Sequence, residues 1–423
     1  MQHPTAMDTR LAQSPRSSPS VRLPRQPPTR IHAKRTLTMH VLWTPSWYPS
    51  KTAPLNGSFF VEQRRMLENA GMFVGVLTVN ARSAWNISPL MWESEVEGRV
   101  WHRDIPTIPW GIIPGDTAII RSTARALSRE YEQAYGIPEV IHAHSVFPGV
   151  LVAQELARIW DVPFGLTEHR PSSLTRHPKS FRYRAIRDAV HNSSFTLTVS
   201  TDMAQKLGRY YEVPTFGVQA LPAPDIFFDQ PLHRFPSTGF TFVHVSHMDR
   251  NKRVEETITA FARVHNDSPD TRLLLIGGSQ ERCNELRAFA ASCGVADAVE
   301  LAGNVQRDSI VAEMGRGDCL VLVSEREAGG TVFAEAQALG LPVIASATAA
   351  GKFMATPTTG ELVPIDDPDA LVSAMRSVLK RTVEGDLVPE KIRDFAYSRS
   401  SQEAFVREHS SVYAAALKEH DKR

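Results

Sequence analysis

The sequence from 324 to 345, SEREAGGTVFAEAQALGLPVIA, contains the pattern that decides the fold. An apolar strand ends at about Ser324, a turn with Gly329 and Gly330 follows, and a helix is predicted to start near Thr331. Glycines let the backbone approach a ligand closely, and the exposed N–H groups of a helix start attract anions. This strand–turn–helix unit predicts an anion-binding site at the end of a parallel strand.

Two carboxylates accompany this turn. Glu327 lies in the loop and Glu335 lies one turn into the predicted helix, so both can face the same cleft. Carboxylates beside a bound phosphate would repel it unless they accept hydrogen bonds from hydroxyl groups, and sugar and ribose hydroxyls are suitable donors. The residues alone leave a second interpretation open, in which Glu327 is a solvated loop residue and Glu335 an acid on a helix surface.

Short β-rich runs alternate with amphipathic helical segments from Met39 onward, which predicts parallel sheets with helices on both faces. A proline-rich segment at 216–239 separates two such series and has the composition of a linker. We therefore predict an α/β protein with two doubly wound Rossmann-like domains, at 39–215 and 240–395, that face each other across a cleft. The sequence from about 80 to 114 shows no clear pattern.

Composition excludes several classes of protein. The 47 basic and 46 acidic residues give a net charge of +1, whereas a nucleic-acid-binding protein needs a strong basic excess. No apolar run approaches the ~18–20 residues that cross a bilayer. The three cysteines, an odd number without a CxxC pair, favour neither a disulfide framework nor a structural zinc site. We expect a cytoplasmic protein.

Residues 1–38 differ from the rest because they are basic and rich in proline and serine. They contain no apolar segment of the kind that secretory signals need, and their prolines disfavour the amphipathic helix of a transit peptide. We interpret them as a disordered tail, or as the product of a start codon assigned too early, with Met39 as the working beginning.

The motif around the two glutamates resembles that of the retaining glycosyltransferases of family 4, which have the GT-B fold. Residues 327–335, EAGGTVFAE, are similar to the family's E-x7-E motif, and residues 336–345, AQALGLPVIA, continue like the family's sequence. The resemblance implies that Glu327 contacts the donor sugar and Glu335 the ribose of the nucleotide. It also implies that the amides around Gly329, Gly330 and Thr331 hold the diphosphate.

A second donor-binding segment is implied at 245–253, VSHMDRNKR, which resembles a family segment whose Arg and Lys neutralise the pyrophosphate. Lys252 matches the Lys, but His247 stands where Arg is usual. A neutral His is a weaker partner for pyrophosphate than the permanently charged, bidentate Arg. We expect Arg250 or Arg253 to compensate for this difference, and an exposed loop lysine remains the alternative for Lys252.

The N-terminal half agrees with the same resemblance. Gly57 follows the first strand and matches the glycine that lets the loop approach the donor phosphate, although a plain turn glycine would look the same. His169, in the segment 164–169, matches the family's cleft histidine and is expected to orient the acceptor or the donor phosphate. His144 ends another strand and is more typical of a packed structural histidine. The resemblance also implies that a C-terminal helix at 396–423 returns to the N-terminal domain.

Asp367-Pro368-Asp369 spells the DxD sequence that metal-dependent glycosyltransferases of another fold use. Asp367 precedes a proline at a predicted helix start, which is typical of an N-cap. We therefore predict no metal and no cofactor apart from the donor itself.

A basic and aromatic segment at 176–184 contains Arg176, Lys179, Arg182 and Arg184. The resemblance implies that such a patch makes a weak peripheral contact with an anionic membrane, to which each basic residue near the surface contributes ~1 kcal/mol. An ordinary solvated helix surface, or a site for an anionic acceptor, is the alternative.

The expected reaction is the retaining transfer of a sugar, a hexose or a related one, from a nucleoside diphosphate sugar to an acceptor hydroxyl. The product would be a cell-envelope polysaccharide, a glycolipid or a small glycoside. Glu327, His169 and Lys252 are the predicted catalytic residues. A sugar-nucleotide epimerase of the same architecture and a non-catalytic nucleotide-sugar-binding protein are the alternatives, and product analysis with a labelled donor separates all three.

Overall fold

The computed structural model describes residues 39–50, 53, 56–83, 94–107, 115–170, 174, 180–232, 235 and 239–422. The interpretation of residues 1–38 and the predictions for Arg176 and Lys179 lie outside this part of the chain. Within it, no helix combines the length and the apolar character that a membrane span requires.

The first half of the chain forms an eight-stranded sheet in the order β3-β4-β2-β1-β5-β6-β7-β8. Neighbouring strands are parallel except β3 and β4, which are antiparallel. The strands are β1 His40–Pro45, β2 Phe73–Ser83, β3 Ser94–Glu97, β4 Val100–Thr107, β5 Val140–His144, β6 Phe164–Glu168, β7 Phe195–Thr198 and β8 Gly217–Val218. The helices are α1 Ser58–Asn69, α2 Gly115–Tyr135, α3 Gly149–Trp160, α4 Phe181–Asn192, α5 Thr201–Tyr211 and α6 Asp225–Phe228.

The second half forms an all-parallel six-stranded sheet in the order β11-β10-β9-β12-β13-β14. Its strands are β9 Phe240–Val245, β10 Thr271–Ile276, β11 Val299–Gly303, β12 Cys319–Leu322, β13 Val343–Ser346 and β14 Gly360–Val363. Its helices are α7 Val254–Asp267, α8 Gln280–Ser292, α9 Arg307–Met314, α10 Thr331–Ala338, α11 Ala349–Met354, α12 Pro368–Val383, α13 Pro389–Ser400 and α14 Gln402–His420, with 3-10 turns at Arg250–Lys252 and Ala296–Ala298. The strand order reverses between β9 and β12, and ligands of such sheets bind at this switch point.

These two sheets confirm the predicted α/β architecture, and two regions differ from the sequence interpretation. Strand β4, in the region without a clear pattern, buries two residues of every three rather than alternate residues, so it lacks the period of two that identifies a half-buried strand. The segment 216–239 contains β8, which pairs with β7, and the short helix α6, so it is built into the fold rather than being a free linker.

The two terminal helices contact both halves. Helix α13 packs against α10 of the second half. Helix α14 packs on the first sheet, where the hydroxyl of Tyr413 lies 2.7 Å from Nδ1 of His142 and accepts a hydrogen bond from Nε1 of Trp43 at 3.3 Å. On the same helix, Nδ1 of His409 lies 2.8 Å from the side-chain amide of Gln219.

The N-cap predicted at Asp367 is confirmed. Its carboxylate accepts a hydrogen bond from the N–H of Ala370 at 2.9 Å, and Pro368 is the first residue of helix α12. The other carboxylate of this sequence, Asp369, pairs with Arg263 at 2.6 Å on the surface.

Replacing Asp367 by Ala should lower the free energy of unfolding by about 1 kcal/mol, because the cap hydrogen bond is lost. Asp369→Ala, the matched control, should change it by less than about 0.5 kcal/mol, since exposed ion pairs contribute little. Urea unfolding measures both. A metal-dependent activity that Asp367→Ala abolishes in a folded protein would contradict the capping role.

Candidate active site

The loops that follow β9 and β12 are joined at the switch point through one side chain. Oδ1 of Asn251 accepts a hydrogen bond from the N–H of Arg326 at 3.0 Å, and its Nδ2 donates to the carbonyl of Arg326 at 3.1 Å. The carbonyl of Asn251 accepts a further hydrogen bond from the N–H of Glu325 at 2.9 Å. The two loops therefore have a fixed relative position.

The same junction brings together two of the predicted catalytic residues. Nζ of Lys252 lies 2.6 Å from Oε2 of Glu327, and both side chains are mostly buried, with exposures of 16% and 19%. The sequence had assigned one to the diphosphate and the other to the sugar. In the structure each neutralises the charge of the other.

Helix α10 begins directly after this ion pair. Gly330 is its N-cap with φ +56°, and no side chain caps the helix there. A Cβ atom would lie 2.5 Å from the Phe333 ring at Gly330, and 2.4 Å from Leu221 at Gly329, so neither position has room for a side chain. The amides at the helix start are available to an anion because the first N–H groups of a helix have no intrahelical partner. Thr331 is the first residue of α10, and Glu335 lies one turn further along it.

The loop after β9 places the predicted phosphate ligands differently. His247 is exposed. Arg253 pairs with Glu256 at 3.1 Å and with Asp366, and its expected contribution to phosphate binding stays a prediction. Arg250 is exposed on the 3-10 turn and keeps that assignment as a prediction.

On the first sheet, His169 follows β6 and contacts His144 at the end of β5. Nε2 of His169 lies 3.1 Å from Nδ1 of His144, and the remaining ring nitrogen of each residue is buried without a hydrogen-bond partner. One ring must donate and the other accept, so this contact requires at least one neutral imidazole. Burial lowers the pKa of His169 to about 3 and that of His144 well below its usual value, which keeps both neutral. The packed environment expected for His144 agrees with its complete burial.

Glu168, which the sequence analysis passed over, organises the loops on either side of these histidines. Its buried carboxylate accepts hydrogen bonds from the Ser145 hydroxyl at 2.9 Å, the Val146 N–H at 2.9 Å and the Arg170 N–H at 2.7 Å. Its position in the segment Thr167-Glu168-His169 was the available signal, because a carboxylate that ends a buried strand needs donors.

Gly57 is the N-cap of α1 and has φ +79°, which glycine adopts without strain. A Cβ atom there would lie 2.8 Å from the Trp47 ring and 3.1 Å from Phe60, whose own ring lies 5.3 Å from that of His169. The structure thus gives Gly57 a packing role close to His169, while its contact with a donor phosphate stays a prediction.

The strand ends of the two sheets approach each other at this place. A Cβ atom on Gly329 would be 3.3 Å from Val199, which directly follows β7. Strand β7 pairs with β6, the strand that leads to His169. Lys352 of α11 also lies 3.6 Å from Asp202 of α5. The loop 327–331 therefore approaches the residue after β7, the strand next to the one that leads to His169.

The predicted basic patch is only partly described, and one member does not fit it. Arg182 is 11% exposed, pairs with Asp116 and stacks on Phe147, so it is not available to a membrane surface. Arg184 stacks on Phe181 with its guanidinium carbon 4.5 Å from the ring centroid.

Solved structures with the same fold identify the architecture. Sucrose-phosphate synthase from Thermosynechococcus elongatus superimposes with a TM-score of 0.65 at 19% identity, covering 90% of this chain and 99% of that one. Anabaena HepE in complex with UDP-glucose gives a TM-score of 0.59 at 16% identity, covering 89% of this chain and 100% of that one. The fold is the GT-B fold of glycosyltransferases.

Two family models match along the sequence, Glycosyltransferase Family 4 over residues 57–218 and Glycosyl transferases group 1 over residues 225–398. Together they span most of the chain, which belongs to glycosyltransferase family 4.

Two curated relatives also match in sequence. The D-inositol 3-phosphate glycosyltransferase of Salinispora tropica is 24% identical over 92% of this chain and 87% of that protein. The N-acetyl-alpha-D-glucosaminyl L-malate synthase of Bacillus anthracis is 26% identical over 42% of this chain, and the match spans only 46% of that enzyme.

Gly57→Ala should lower the free energy of unfolding by more than Gly136→Ala. Gly136 has nearly the same φ, +81°, but nothing lies within 4 Å of its Cβ position, so it reports backbone strain of about 1–2 kcal/mol alone. Urea unfolding gives the free energy of unfolding of both variants, and the difference between their losses is the cost of displacing Trp47. Equal losses would show that Trp47 does not require a glycine at position 57.

Acid should destabilise the protein through its buried histidines. Burial lowers the pKa values of His169 and His409 to about 3 and about 4, and those of His142 and His144 well below 6.5. The unfolded chain takes up these protons near pH 6.5 and the native protein does not, so the free energy of unfolding should fall as pH decreases below about 6.5. Each ring contributes up to about 1.4 kcal/mol per pH unit.

Urea unfolding at several pH values between about 7.5 and 5.5 checks this expectation. His409→Gln should make the dependence shallower, because one titrating ring is removed. A free energy of unfolding that is constant over the range would contradict it.

Proposed function

We propose that this protein transfers a sugar from a nucleoside diphosphate sugar to an acceptor hydroxyl with retention of anomeric configuration. The observation that carries the proposal is the Lys252–Glu327 ion pair at the uncapped start of α10. A cation and a carboxylate on two joined loops, beside the backbone amides of a helix start, suit a ligand with a diphosphate and a sugar hydroxyl side by side.

In this proposal the second half of the protein holds the donor. Lys252 and the amides of residues 329–331 bind the diphosphate and stabilise the negative charge that develops on it as the glycosidic bond breaks. Glu335 accepts hydrogen bonds from the ribose hydroxyls. His247 and Arg250 lie on the exposed part of the same loop, from which they can contact the outer diphosphate oxygens.

The acceptor oxygen then attacks the anomeric carbon on the face that the diphosphate leaves, and its proton passes to the departing phosphate oxygen. A separate protein nucleophile is unnecessary in this route, so catalysis rests on position and electrostatics. Glu327 stabilises the positive charge of the sugar ring. Neutral His169 orients the reacting groups by hydrogen bonding and adds no charge to the cleft. The proposed reaction needs no metal or further cofactor.

The comparisons support a nucleotide-sugar donor, since Anabaena HepE is solved with UDP and with UDP-glucose. WaaG is a glycosyltransferase involved in lipopolysaccharide biosynthesis. A cytoplasmic enzyme that builds a cell-envelope polysaccharide, a glycolipid or a small glycoside fits these relatives and the exposed acidic and basic surface of the chain.

Substitutions of Glu327 and Glu335 should change different kinetic constants. Glu335→Gln should raise KM for the donor, because a charged hydrogen bond of about 1.5–3 kcal/mol to ribose is present in the ground state and the transition state alike. Glu327→Gln should lower kcat with little rise in KM, because its charge acts mainly in the transition state and its loss frees Lys252 for the diphosphate. Steady-state kinetics, with a donor found by thermal-shift screening of nucleotide sugars, measures both effects.

Glu325→Gln is the matched control, because Glu325 is an exposed residue of the same loop. It should leave kcat and KM unchanged. Near-native kcat and KM in both Glu327→Gln and Glu335→Gln would contradict the assignment of these two residues to the donor sugar and the ribose. A labelled donor gives a new glycoside if the proposal is right, an epimer if the protein is an epimerase, and no product if it only binds nucleotide sugars.

A further inference from the structure

Arg170 holds a charged group at the edge of the candidate site, directly after His169. Its guanidinium carbon lies 3.3 Å from the centroid of the Trp47 ring, and its backbone N–H is bound by Glu168 at 2.7 Å. Trp47 in turn fills the space that the missing side chain of Gly57 leaves. The guanidinium therefore has a defined location on a buried aromatic platform.

Among the described residues, no carboxylate forms a direct ion pair with the guanidinium of Arg170, and Glu168 attracts it only through space. The carboxylate that lies nearest in sequence, Glu168, is fully buried and already accepts three hydrogen bonds from other groups. Burial lowers the pKa of Arg170, and the Glu168 carboxylate opposes this effect. An anionic ligand would give the exposed guanidinium the direct ion-pair partner that the described residues do not supply.

Two other arginines on this half of the protein are already paired with carboxylates. Arg182 is bound to Asp116, and Arg125 lies 2.5 Å from Glu155. Arg170 differs from them because it is exposed, stacked and beside a predicted catalytic residue.

We propose that Arg170 selects an acceptor that carries an anionic group, a phosphate or a carboxylate, near the hydroxyl that receives the sugar. This inference rests on the proposed transferase function and names the acceptor class for the same site. The planar, five-donor guanidinium binds both kinds of oxyanion in a bidentate manner.

The acceptor, rather than the donor, is the ligand because of where the charges lie. The donor diphosphate has its own cation and helix start on the second half, at Lys252 and residues 329–331. Arg170 follows β6, and the neighbouring strand β7 leads to Val199, the residue that Gly329 approaches. An acceptor bound beside His169 would thus lie next to Arg170, the following residue.

The test separates two anion sites in the full-length protein. Titration calorimetry with UDP, GDP, ADP and dTDP reports the donor site, and thermal-shift titration with inorganic phosphate and with succinate reports the second site. Both are measured on the wild type, Arg170→Gln, Arg170→Lys, Lys252→Ala and Arg184→Gln. Arg184 is the matched control because it is also stacked on an aromatic ring but lies away from His169.

Arg170→Gln should weaken phosphate or succinate binding at least tenfold and leave nucleotide binding unchanged. Arg170→Lys keeps the charge but not the bidentate geometry of the guanidinium, so it should lose less anion affinity. It replaces Arg170→Gln in the comparison if the Gln variant is unfolded. Lys252→Ala should weaken nucleotide binding tenfold and retain the second anion site. Whichever anion loses more affinity in Arg170→Gln identifies the acceptor group as phosphate or carboxylate.

The inference would be overturned if Arg170→Gln and Arg170→Lys bound the anions as tightly as the wild type. It would also be overturned if Arg184→Gln lost as much anion affinity as Arg170→Gln. In both cases nucleotide binding by the wild type would be unaffected. If the wild type bound no nucleotide, the proposed function would be overturned instead. The phosphate titration would still measure whether Arg170 binds an anion.

Discussion

The reversal of strand order between β9 and β12 is the constraint on which the candidate donor site depends. Helices that follow these two strands leave in opposite directions, so a crevice opens between the loops at their carboxyl ends. The side chain of Asn251 then ties the backbone of one loop to Arg326 of the other. Lys252 and Glu327 are 2.6 Å apart because each is next to this junction.

Much of this arrangement could be predicted from sequence, because it is encoded locally. The turn at Gly329 and Gly330 precedes a helix start in a linear stretch, and the spacing of Glu327 and Glu335 follows from that helix. The cap at Asp367 is equally local, since an Asp before a Pro at a helix start specifies its own hydrogen bond. The alternation of short apolar runs with amphipathic helical segments was also enough to predict the strands that are buried on both faces.

What the sequence did not reveal depends on contacts between distant segments. Asn251 and Arg326 are 75 residues apart, and the donors to Glu168 come from the end of another strand. The ion pair between Arg253 and Asp366 joins two segments that are far apart in the sequence, so the motif at 245–253 does not predict it. Strand β4 lacked a recognisable period because its burial is set by helix packing on one face and by β2 and β3 at its edges.

The C-terminal helices connect the two sides of the site. Helix α13 packs on α10, the helix that carries Glu335, and α14 supplies Tyr413 to His142. The ring of His142 lies 4.2 Å from that of His144, which in turn contacts His169. Because these rings are buried and neutral, they transmit position through packing and hydrogen bonds rather than charge. The same pair of helices therefore supports Glu335 and His169, so the relative placement of the two sheets bears directly on the geometry between these two candidate site residues.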